Sequence, residues 1–173
     1  MECESEYDVW TCSLYTDSAQ QYNMRVIIYQ QTLAEKGPYM GSRLTLVRVE
    51  QCLQQGKAER LGVQAAIVVV DAAGHLIGAL HFEEALWVTP EIARAKANAA
   101  VAFRASTAAL EERWRERPLF ATSVVNLGPG QFVIGKGAVP IVIDGTVVGA
   151  VGVSGGIPAD LDHAIAETAV RSE

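Results

Sequence analysis

The polar and apolar positions of this chain fall into segments of different period. Apolar and polar residues alternate over residues 7–15, and residues 24–29 form a β-branched, apolar run. With Asp17 to Gln21 between them, the two predict a β-hairpin. Lys36-Gly37-Pro38 breaks the pattern, so residues 1–40 read as an N-terminal extension and residues 41–173 as the main domain. Helical spacing follows at Leu44, Val47, Cys52 and Leu53, with Ser42 as the expected N-cap and Gly62 as the expected C-cap. Apolar runs at 63–70 and 75–82 flank the turn signal Asp71-Ala72-Ala73-Gly74 and predict paired strands. Thr89-Pro90 marks a helix start, and Ile92, Ala95, Ala99 and Phe103 form a mostly alanine stripe suited to close approach. Ser106 is expected to cap a further helix through Trp114, closed by Pro118. Residues 139–143 and 147–153 predict a second strand pair about Asp144-Gly145. A last helix follows Pro158, with Asp160 and Asp162 near its positive end.

Hairpin-linked strands pair antiparallel, and helices grouped between strand pairs predict an α+β sandwich rather than a βαβ array. The glycines do not alter this. Gly128-Pro129-Gly130 and Gly135-Lys136-Gly137 lack the GxxxxGK[ST] spacing and the following helix of a phosphate loop. Gly149, Gly152, Gly155 and Gly156 begin inside a strand, where small residues let a helix or a flat ligand approach the sheet.

At 173 residues the chain is long enough for one domain with an ordinary hydrophobic core. Its 14 basic and 20 acidic side chains give a net charge of −6, which argues against nucleic acid and an anionic membrane surface as partners. The excess sits at the two ends, and residues 51–117 are neutral, with 8 acids and 8 bases. Cys3, Cys12 and Cys52 show neither disulfide nor zinc spacing, the N-terminus is acidic, and no apolar stretch approaches the ~20 residues of a membrane span. A cytoplasmic protein is the expectation.

Four segments carry a family pattern: Asp71-Ala-Ala-Gly74-His75; Lys96-Ala97 leading to Phe103 and Thr107; Gly137-Ala-Val-Pro-Ile141; and Gly149 to Gly156 with Asp162. In order and spacing they resemble the GlcG/HbpS-like family, which includes the C-terminal domain of PduO-type proteins, from about Gly41 to Arg171. The resemblance implies a profilin-like α/β sandwich with a central antiparallel sheet, homo-oligomerisation, and binding of haem or a related tetrapyrrole in several members. This chain also departs from the pattern. His81-Phe-Glu-Glu-Ala85 stands where the family has Arg-Met-Asp-Gly-Ala, and Ala105-Ser-Thr107 where it has Arg-Pro-Thr.

The candidate chemistry follows from both readings. His81 and Glu83, two apart, would share a face of an extended strand, giving a general base or an iron ligand steadied by a carboxylate. Lys96, on an alanine-rich helix, could hold an anion or act as a base or amine nucleophile. Thr107 corresponds to the family's threonine near the tetrapyrrole, and Gly137 opens the segment expected to approach it. His75 and His163 have no evident partner in the sequence. Two functions therefore stand: a haem-binding module with His81 or Thr107 near the iron, or a cofactor-free isomerase, lyase or hydrolase using His81, Glu83 and Lys96 on a small carboxylated or aromatic metabolite. As a third, Trp10 and Trp87 would anchor an interface of a non-catalytic oligomer.

Overall fold

The computed structural model describes residues 3–5, 10–12, 25–28, 44–59, 62–125, 127 and 132–171. The strands are β1 (Cys3–Ser5), β2 (Trp10–Cys12), β3 (Arg25–Ile28), β4 (Ala66–Asp71), β5 (Leu76–His81), β6 (Ala138–Ile143) and β7 (Thr146–Ser154). The helices are α1 (Leu46–Glu59), α2 (Thr89–Phe103), α3 (Thr107–Trp114), α4 (Pro118–Val124) and α5 (Asp160–Val170). All seven strands join one antiparallel sheet in the order β1-β2-β3-β5-β4-β7-β6. The expected strand pair of the N-terminal region is seen as β2 against β3, with Trp10 opposite Ile28, and β3 lengthens the sheet at β5. The residues linking β2 to β3, the Ser42 cap and the Gly128-Pro129-Gly130 segment lie outside the described residues.

Alternation along the strands gives the sheet two apolar faces. Ile67, Val69, Leu80, Val151 and Val153 pack on Cys52 and Leu53 of α1 and on Ile165 and Ala169 of α5. Ala66, Val68, Val70, Ala79 and Ala150 pack on Ala93, Ala97, Ala100 and Val101 of α2. Helix α2 is thus buried on two sides, and the expected stripe turns away from the sheet: Ala99 and Phe103 meet Leu110, Trp114 and Val124 of α3 and α4. Burial pushes the Cys52 thiol pKa above its ordinary value, as removing a thiolate from water requires.

Two helix ends differ from the expectation, and a third matches it. Thr89 is the first helical residue rather than the cap, and its hydroxyl donates to Leu86 O at 2.8 Å. Pro118 does not merely close α3 but opens α4, a position that suits its fixed φ and missing N–H. Ser106 does cap α3, accepting from Ala109 N at 3.3 Å. Ser106→Ala is expected to lower stability by about 1 kcal/mol in urea unfolding, and an unchanged midpoint would show that this cap contributes nothing.

Candidate functional site

The residues singled out in the sequence gather at one end of the sheet but in two different environments. The first is internal. Lys96 of α2 is buried, and its ammonium donates to Val153 O at 3.0 Å and to Asp162 Oδ2 at 2.8 Å. The other oxygen of Asp162 accepts from Gly156 N at 2.6 Å, so one carboxylate ties α5 to α2 and to the chain leaving β7. Gly137, at φ +129°, lies against this pair: a Cβ there would fall 2.8 Å from Lys96 Nζ and 2.6 Å from Val153 O. Thr107 is buried, and its hydroxyl accepts from Ala138 N at 2.9 Å and donates to Ala138 O at 3.4 Å. Above the buried pair, at the surface, Lys136 and Asp160 are 2.5 Å apart. The hydrogen bond between them, with their mutual attraction, holds the Asp160 carboxyl pKa below its usual range and raises that of Lys136.

Lys96, Gly137 and Thr107 therefore stand together, but their polar groups face other parts of the chain. The missed member is Asp162, which the sequence places near the positive end of a helix and in the fourth family segment but not among the candidate site residues. Its partner is 66 residues away, a distance no local pattern spans.

The second environment is the rim. His81 closes β5 and is half-buried, with Ala66 opposite it on β4 and Ser154 opposite Ala66 on β7, so the three form one row. The imidazole Nε2 lies 3.3 Å from Leu86 O. The expected pairing with Glu83 fails because the strand stops: Phe82 turns inward, and Glu83 and Glu84 occupy an exposed turn. Period-two geometry does not survive a turn. Beyond it Leu86 and Trp87 are 70% and 83% exposed, and Ile157, on the loop leaving β7 at the same end, is 93% exposed.

The other histidines have partners. Asp71 accepts from the backbone N–H groups of Ala73 and His75 at 2.8 and 2.9 Å, and its second oxygen meets His75 Nδ1 at 3.1 Å. His163 Nε2 lies 3.4 Å from Glu167 Oε1. Among the described residues no three His, Cys, Asp or Glu side chains form a metal site, and no helix is long and apolar enough to cross a membrane. A groove of about 620 Å³ between α1 and the β6–β7 turn, lined by Arg48, Gln51, Gln54 and Asp144, holds none of the candidates.

The family model described as "Haem degrading protein HbpS-like" matches residues 48–171. The chain belongs to the HbpS-like family. Among HbpS-like and GlcG relatives, Protein GlcG of Escherichia coli K12 is 32% identical over 106 residues, 58% of this chain and 71% of GlcG. The crystal structure of an HbpS double mutant from Streptomyces reticuli superposes with a TM-score of 0.67 at 26% identity, covering 82% of this chain and 95% of that one. The crystal structure of a PduOC–haem complex gives 0.65 at 27% identity, covering 75% and 94%. The sandwich expected from the sequence is thus the HbpS-like fold.

Membership in the HbpS-like family raises haem, and the side chains of this structure sort by whether they suit it. The Thr107 hydroxyl is sealed in and already both donates and accepts, and the space before Gly137 is filled by Lys96 and Val153. Neither offers a group to a ligand. The His81 ring differs: it is half-buried, and its one polar contact among the described residues is with the Leu86 carbonyl at 3.3 Å, next to the exposed Leu86 and Trp87 side chains.

Proposed function

We propose that this HbpS-like protein binds haem or a related tetrapyrrole at the His81 end of its sheet, with the imidazole as the iron ligand. The observation that carries the reading is a half-buried histidine at the same end of the sheet as Leu86, Trp87 and Ile157, large apolar side chains left in water on the loops that leave β5 and β7. A porphyrin would cover such surface, and bound there it would supply redox chemistry that the side chains lack. The chain's part is to hold the ring and present one nitrogen. The cofactor-free enzyme has less support, because Lys96 is committed to Asp162 and Glu83 points to solvent, so its three residues do not share a site. The same reading takes residues 1–40 as an extension, the protein as a homo-oligomer and its location as cytoplasmic.

The test is a haemin titration of the full chain followed by absorbance. The expected result is a saturable Soret band at one haemin per chain, with His81→Ala weakening binding roughly tenfold or more, a loss of at least ~1.4 kcal/mol. No Soret change at stoichiometric haemin, or an identical spectrum and affinity in His81→Ala, would overturn the assignment.

A further inference from the structure

We propose that Arg94 is the carboxylate anchor of the His81 site, binding an acidic arm of the ligand, which for a tetrapyrrole is a propionate. The inference rests on the reading of the His81 end as the ligand site. Arg94 lies on the flank of α2 that faces β5. Asn98, one turn further along the same side, has its Oδ1 3.1 Å from where a Cβ on Gly74 would sit, just before β5 begins. His81 ends that strand and shares the face of Ala79, which packs against α2. Arg94 and the candidate ligand imidazole therefore lie on the same side of the sheet, the side on which α2 packs.

The guanidinium is half-buried and uncompensated. Arg94 Nε is buried with no hydrogen-bond partner, and none of the ion pairs among the described residues includes Arg94. The acid of its own helix, Glu91, is exposed in the first turn. A buried donor on a permanent charge is costly when it has no acceptor. The contrast with Lys96 on the same helix is informative, since that cation has a carboxylate at 2.8 Å. The group that fits Arg94 is planar, anionic and able to accept two parallel N–H bonds, which describes a carboxylate.

Two measurements on the full chain test this. In the first, haemin and its dimethyl ester, which lacks the charged arms, are titrated into wild type, Arg94→Met and Arg94→Lys, with melting curves confirming that the variants fold. Arg94→Met is expected to weaken haemin about tenfold and leave the ester unchanged, with Arg94→Lys in between. In the second, the Arg94 Nε–H signal, assigned by its loss in Arg94→Met, is followed by NMR as sodium succinate or its dimethyl ester is added. It is expected to move with the acid and not with the ester. Equal weakening of haemin and its ester, or an Arg94 signal indifferent to succinate, would overturn the anchor. If neither porphyrin binds wild type while succinate still moves the signal, the haem reading fails and the anchor stands.

Discussion

Asp162→Ala is expected to lower the stability of this protein by about 3–5 kcal/mol, the range seen when one partner of a buried ion pair is removed. The mutation leaves the Lys96 ammonium in a buried site with the Val153 carbonyl, and it strips the acceptor from Gly156 N–H. Against a total of roughly 5–15 kcal/mol for a domain, that is a large share. The melting temperature should fall by about 10 °C or more. A companion variant separates charge from packing. Lys96→Met with Asp162→Asn removes both charges while the amide oxygen can still accept from Gly156 N–H, so it should be less damaging than Asp162→Ala alone. A loss under about 1 kcal/mol for Asp162→Ala in urea unfolding would show that the pair does not hold α2 and α5 to the sheet.

That ion pair also shows where a linear reading of the sequence stops. Strands β4 to β7 were legible because apolar runs and turn signals are local, and the acids at the start of α5 were legible for the same reason. The pairing of Lys96 with Asp162 was not, because it depends on which elements the fold brings together. The extra strand β1 and the docking of β3 on β5 are likewise matters of register between distant segments. Helix α4 was missed for a different reason. Proline both follows helices and opens them, and Arg117-Pro118 allows either reading until the φ of the residues beyond is known. At the site, His81 was legible as a motif departure, whereas its separation from Glu83 turned on the strand ending one residue after Leu80. Arg94 left no trace in the sequence, because being unpaired is a property of surroundings and not of residue type.

The second large effect lies in the glycine run of β7. The sequence left open whether those glycines admit a helix or a flat ligand, and the distances decide for the helix. A Cβ on Gly152 would stand 2.0 Å from Ala93 O, 3.0 Å from Ala93 C and 3.0 Å from Ala97 Cβ, so the backbone of α2 occupies the space. No flexible side chain is there to swing aside. Gly152→Ala is therefore expected to cost about 3 kcal/mol, the upper part of the usual overpacking range, because relief requires lifting a whole helix off the sheet. Lifting α2 also displaces both cations on its flanks, since the helix carries Lys96 toward Asp162 and Arg94 toward β5. Gly135→Ala serves as the control. Nothing lies within 4 Å of its Cβ position and its φ is not positive, so it should be neutral or slightly stabilising through the unfolded chain. Urea unfolding of the two variants side by side makes the comparison. If Gly152→Ala were as well tolerated as Gly135→Ala, α2 would not be seated on β7 at contact distance, and the close approach that places Arg94 over the β5 side of the sheet would lose its basis.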